Sequence, residues 1–244
     1  MRKVFLLLTI TATVFTACKK SNDVLEVTSV SEYAPLAVGK YITYNLDSTV
    51  FINFGTKDTI MKYQVKLQVD GLITDNLGRP AYRITRYIRK TAANPWNPDN
   101  TFLAVPTDFA LEFVENNMRF LKLKGPVRDG YTWKGNSYID TYSLNSTVKY
   151  LDGWDYTYDS TNAPLTIGAF TLDSTLKVEQ RDEIIGNIGD VNSYHEINFG
   201  AEKYAKGIGL VYRDFLHVEY QPPTPGRGGY RQGYGVRMTI IDHN

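Results

Sequence analysis

The sequence predicts an all-β protein, an antiparallel β-rich domain with few short helices. Three observations carry this. Met61, Tyr63, Val65, Leu67 and Val69 alternate with Lys62, Gln64, Lys66, Gln68 and Asp70, the period of a strand with one face in a core and one in water. No stretch sustains the spacing of an amphipathic helix, and no period of 20 to 50 residues repeats. Aromatic residues make up 13% of the chain, 18 of them tyrosines, and flat rings suit a pleated, half-buried surface.

The chain begins with Arg2-Lys3, an apolar run from Val4 to Phe15, and Thr16-Ala17-Cys18. The run is shorter than the ~20 residues a membrane-spanning helix needs and has the length of an export signal core. Small residues directly before the sole cysteine match a bacterial lipobox. Residues 1–17 are therefore read as a lipoprotein signal peptide and Cys18 as the lipidation site, carrying thioether-linked diacylglycerol and an amide-linked chain such as palmitate. Two or more acyl chains anchor a protein stably where one does not. The expected partner is a membrane, held through that lipid. The expected location is the outer membrane, with the periplasmic and surface faces both open.

Residues 18–32 are polar and aperiodic and are read as a flexible tether; residues 33–244 are read as a single β-rich domain. The first strand is expected from about Lys40 to Phe54. After the alternating segment, Asp75 to Pro80 is turn chemistry, and Ala81 to Arg89 is a strand. Thr91 to Asn100, with two prolines and three asparagines, reads as a loop centred on Trp96. Phe109–Glu115 and Met118–Lys124 flank Asn116-Asn117, a pair that tolerates the positive φ of a type I′ turn. That register sets Phe113 against Phe120 and Glu115 against Met118, with Glu112 and Arg119 diagonal on the opposite face. Gly125 to Ser137 is turn-rich, and Tyr142 to Leu151 is a place for a short helix. Further strands are expected at Trp154–Tyr158, Leu172–Arg181, Tyr194–Phe199, Leu210–Gln221 and Tyr234–Asp242.

Composition excludes several classes. With Cys18 acylated, disulfides, thiolate catalysis and cysteine-bound zinc are unavailable to the mature chain. The formal charge is +1 and falls further once Arg2 and Lys3 leave, so nucleic acid is not an expected partner. His195, His217 and His243 form no metal motif, although His217 and Glu219 would share a strand face. No Gly-x-Ser-x-Gly elbow occurs, and Gly207-Ile208-Gly209 lacks the rest of a dinucleotide loop. Asp152, Asp155 and Asp159 flank Trp154, Tyr156 and Tyr158, but i and i+4 acids on one strand stand about 13 Å apart, beyond the separation of a glycosidase pair. Asp47, Asp159 and Asp173 each begin Asp-Ser-Thr, turn and strand-edge chemistry that also resembles bacterial O-glycosylation sites.

Tyr33-Ala34-Pro35-Leu36 with Gly39 and Tyr41, Gly125-Pro126 followed by Gly130-Tyr131-Thr132-Trp133, and Tyr204-Ala-Lys-Gly-Ile-Gly-Leu-Val211 together resemble a large group of uncharacterised Bacteroidetes-type lipoproteins. The resemblance implies an antiparallel barrel or half-barrel akin to lipocalin-like folds and periplasmic lipoprotein carriers. It implies no activity. The expectation is a non-enzymatic, cofactor-free envelope protein that binds a small apolar or glycan ligand, or a partner. Trp96 and Trp154 are the candidate ligand-binding residues, with Trp133 a further ring for sugar stacking. A structural role within an envelope complex is the third reading.

Overall fold

A computed structural model describes residues 28–244. The signal segment, Cys18 and most of the expected tether lie outside the described residues. The domain is an antiparallel twelve-stranded sheet, curled into a nearly closed barrel with almost no helix. In chain order the strands are β1 (Tyr41–Ile52), β2 (Lys57–Thr74), β3 (Pro80–Arg89), β4 (Asn97–Thr107), β5 (Ala110–Glu115), β6 (Met118–Lys124), β7 (Thr132–Lys134), β8 (Asp155–Ile167), β9 (Phe170–Gly186), β10 (His195–Ala205), β11 (Gly209–Gln221) and β12 (Tyr230–His243).

Each strand pairs with its sequence neighbours except at one place. The first strand also pairs with the last, from Ile42 opposite His243 to Thr49 opposite Gly235, so the sheet's two edges fall in mid-chain at β6 and β7. Unpaired edges expose backbone donors and acceptors. Here they are bridged without a regular ladder. The Leu121 N–H donates to the Gly135 carbonyl at 2.8 Å, Trp133 Nε1 donates to the Leu121 carbonyl at 2.7 Å, and the Lys124 N–H donates to the Tyr158 hydroxyl at 3.0 Å.

The β5–β6 hairpin has the register its sequence implies. Asn116 and Asn117 sit at φ 51° and 61°, Phe113 faces Phe120, and Glu115 faces Met118. Three expectations need correction. The ordered domain starts before residue 33. Ser29 and Glu32 form a capping box for a 3-10 turn at Val30–Tyr33, which holds Val30 at 3% exposure in the core. Strand β4 begins inside the expected loop, at Asn97. It tolerates Pro98 because the register shifts there, leaving a bulge where a missing N–H breaks no regular ladder. Strand β8 runs nine residues past Tyr158, to Ile167. Its Asp159-to-Pro164 stretch reads as a turn because it is a bulge in mid-strand, with Ser160 and Asn162 at positive φ.

An eight-stranded barrel is just wide enough for its own side chains to fill, and more strands leave extra room. Here non-strand segments occupy part of the extra space. Tyr33 of the N-terminal 3-10 turn is fully buried, its hydroxyl donating to Asn162 Oδ1 at 2.7 Å. The β7–β8 connection brings Leu151 and Trp154 into the core at 3% and 2% exposure. Its path is fixed by Asn136, which donates to the Leu151 carbonyl at 2.9 Å and accepts from the Tyr156 hydroxyl at 2.9 Å.

Candidate functional site

The barrel interior is not completely filled. A cavity of about 220 Å³ lies between the N-terminal 3-10 turn and the β7–β8 connection. Alternation along the strands decides what lines it. β4 supplies Phe102 and Ala104, β5 supplies Leu111, Phe113 and Glu115, and β6 supplies Met118, Phe120 and Lys122. Glu202 and Tyr204 come from β10, and Arg213 and Phe215 from β11. Most of the wall is apolar or aromatic, the usual character of a small-molecule site with a few convergent polar groups.

Those polar groups form a four-charge cluster. Arg213 donates from both terminal nitrogens to the two oxygens of Glu115, each at 2.9 Å. Lys122 Nζ donates to Glu202 Oε1 at 2.7 Å, and the Tyr204 hydroxyl donates to Glu202 Oε2 at 2.7 Å. Lys122 also stands 3.9 Å from Glu115, and Arg213 Nε 3.8 Å from Glu202. Burial alone would raise the pKa of Glu115, but the charges of Arg213 and Lys122 outweigh it and hold the group down at about 2. Glu202 is also lowered, with burial opposed by Lys122 and Arg213. For Arg213 the two carboxylates overcome burial and push the pKa up. Glu115, Glu202 and Arg213 are therefore charged at neutral pH, and the cluster sets two basic side chains against two acidic ones.

Among the described residues, three buried side-chain atoms lack a hydrogen-bond partner: Gln180 Nε2, His195 Nδ1 and Arg213 Nε. Gln180 and Arg213 both line the cavity. Gln180 is the bulged residue of β9, skipped where Gly200 pairs with Arg181 and Ala201 with Glu179. The absence of a side chain at Gly200 makes room for it: a Cβ there would stand 2.8 Å from both Gln180 Oε1 and the Trp154 ring.

Beyond the charge cluster lies His217, 6% exposed, its ring stacked on Tyr150 at 3.7 Å and its Nδ1 2.8 Å from Asn198 Oδ1. Burial lowers its pKa, against the opposing pull of Glu196 and Glu219. The shared face expected of His217 and Glu219 is present, with Nε2 3.6 Å from the carboxylate.

The candidate tryptophans separate. Trp154 lines the cavity, its Nε1 donating to the Tyr150 carbonyl at 2.6 Å. Trp133 is buried at 4% exposure against Tyr158 at 4.6 Å. Trp96 lies outside the cavity in the β3–β4 connection, half-buried under the Arg89 guanidinium at 4.1 Å. Each nearby aspartate has its own partner: Asp152 accepts from Thr141 at 2.9 Å, while Asp155 and Asp159 pair with Lys134 at 2.7 Å and Lys177 at 3.3 Å. Sequence reasoning missed Glu115, Lys122, Gln180, Glu202 and Arg213 as site residues. One signal was available: the hairpin register puts Lys122 in phase with Met118 and Phe120, a charge on an apolar face.

No family model matches the chain, and no curated protein matches it. Among solved structures it is similar to a candidate exported protein with a YmcC-like fold from Bacteroides fragilis. The identity is 13% and the TM-score 0.36, over 84% of this chain and 97% of that one.

Proposed function

We propose that this protein is a non-enzymatic, lipid-anchored envelope lipoprotein that binds a small, mainly apolar ligand inside its barrel. The observation that carries the reading is the cavity of about 220 Å³ with its mainly aromatic and aliphatic wall and the charge cluster set into it. Apolar cavities of about 150 Å³ take up benzene, so this one has room for a somewhat larger guest. The anchor rests on the Cys18 motif. The glycan reading asks for at least two exposed, coplanar rings. Trp133 and Trp154 are buried, which leaves Trp96 as its one candidate platform among the tryptophans.

A ligand that binds only the folded state raises stability in proportion to the logarithm of its concentration over Kd. Thermal unfolding with a series from benzene to indole to C5–C9 alkanes should show a graded rise in Tm. Ala104→Phe, which fills the cavity from β4, should abolish the rise. If no member of the series stabilises the unmodified protein, the cavity is not a binding site. Fractionation tests the anchor: Cys18→Ala should move the protein from the membrane to the soluble fraction, and retention in the membrane would refute it.

A further inference from the structure

We infer that the ligand carries an uncharged carbonyl-type acceptor, such as a ketone or ester oxygen, held between Gln180 Nε2 and Arg213 Nε within the cavity. The inference rests on the cavity being a binding site and names the chemistry of what it takes. Both cavity-lining orphans are donors. Gln180 is 96% buried, at 4% exposure, so bulk water does not reach its free amide. An amide NH₂ and a guanidinium N–H can donate and cannot accept, so the matching group on a guest is an oxygen with free lone pairs.

Charge decides which oxygen. The acceptors of the cluster are already engaged: Glu115 by Arg213, and Glu202 by Lys122 and Tyr204. The cluster is neutral as a whole. A carboxylate guest would add an uncompensated negative charge close to Glu202, which stands 3.8 Å from Arg213 Nε, and an unbalanced buried charge is strongly unfavourable. A neutral carbonyl fills both donors and leaves the balance intact. Two further cations lie on the cavity wall: Arg86, whose charge is paired with Asp99, and Lys40, which donates to the Gly207 carbonyl at 3.2 Å on the loop before β11 and not to the Glu115–Glu202 cluster.

Three probes of nearly equal size separate the possibilities: 2-heptanone with a neutral acceptor, heptane with none, and hexanoate with a charged one. Their affinities are measured by calorimetry or NMR titration on the chain carrying Cys18→Ala, which alters no described residue. 2-Heptanone should bind about tenfold more tightly than heptane, the yield of one or two well-placed hydrogen bonds, and hexanoate should bind more weakly than the ketone. Gln180→Met removes one orphan donor at similar volume and should erase most of the ketone's advantage while leaving heptane unchanged. Arg213→Lys keeps a cation beside Glu115 but removes Nε, and should act in the same direction. Equal binding of ketone and heptane would overturn the inference while leaving the cavity a binding site. Tightest binding of hexanoate would replace it with an anion site. A ketone advantage that survives both substitutions would place the acceptor elsewhere, and binding by none of the three would remove the inference together with the cavity reading.

Discussion

Glu112 and Glu115 lie three residues apart on β5, and Arg119 and Lys122 lie three apart on β6. Odd spacing sends the members of each pair to opposite faces of the sheet, so one hairpin seeds two four-charge clusters. On the outer face, Arg79 bridges Asp75 and Glu112 at 2.8 and 2.7 Å, and Arg119 binds the same Glu112. On the inner face, Arg213 and Lys122 hold Glu115 and Glu202. Both clusters have two cations and two carboxylates, yet they do different things. The outer one ties down a turn: Asp75 accepts from the backbone N–H groups of Leu77 and Arg79, both at 2.9 Å, and from the Arg79 side chain. The inner one joins strands distant in sequence and leaves a donor unfilled at a cavity. A local cluster of this kind builds the fold, while the interior one builds a site that the fold must tolerate.

The largest expected difference comes from removing one cation from each. Arg213→Met leaves Glu115 and Glu202 buried with Lys122 as the cation nearest to both among the described residues. Breaking a buried pair this way costs about 3–5 kcal/mol. Arg79→Met on the outer face removes charge-assisted hydrogen bonds at a half-exposed guanidinium, and should cost about 1–2 kcal/mol. Urea titration of both variants measures the pair. An equal loss in the two would mean that burial does not distinguish the clusters.

Acid titration breaks the comparison differently. Glu115 and Asp75 are both held at about 2, Glu115 against its burial by Arg213 and Lys122, Asp75 chiefly by the side-chain hydrogen bonds of Arg79. A carboxylate depressed in the folded state contributes stability that is complete above its unfolded pKa of about 4.3 for Glu or 3.9 for Asp. That contribution is lost as pH falls through the folded value. The wild type should therefore weaken between roughly pH 4.5 and pH 2. In Arg213→Met burial faces less opposition at Glu115, so its folded pKa rises and acid unfolding should begin at a higher pH. An acid midpoint unchanged from wild type would show that Arg213 does not set the ionisation of Glu115.

How much of this is legible in the sequence follows from distance along the chain. The hairpin is legible because Asn116-Asn117 fixes a turn and the turn fixes the register. Glu112 and Arg119, seven residues apart, follow from that register, and their ion pair is formed. Glu115 is also placed by the hairpin, but its partner Arg213 is 98 residues away. Nothing local encodes the closure of β1 on β12 that brings the two together. Trp154 is legible as a candidate from its ring, but as an exposed platform for sugar stacking; the structure buries it in the cavity wall instead. Gln180 is not legible, since a bulge decides which way it points. Strand β4 went unseen because Asn-Pro-Asp-Asn is loop chemistry, and the bulge at its start accommodates that chemistry within a strand.

Salt gives the smallest contrast and the one most specific to location. At 1 M ionic strength the Debye length is about 3 Å, comparable with the separations in both clusters, but screening ions act only where solvent reaches. The Arg79 side chain keeps 31% of its surface accessible and Arg213 20%, whereas Lys122 keeps 6% and Glu202 1%. Stability loss in Arg79→Met, measured by thermal unfolding in 0.05 and 1 M NaCl, should shrink by a few tenths of a kcal/mol in high salt, the scale of an exposed ion pair. The loss in Arg213→Met should shrink less, because its partners Glu202 and Glu115 keep only 1% and 11% of their side-chain surface accessible. If the two losses shrink equally, solvent and ions enter the cavity freely. The cavity would then be a wet channel, and Arg213 Nε and Gln180 Nε2 would be satisfied by water.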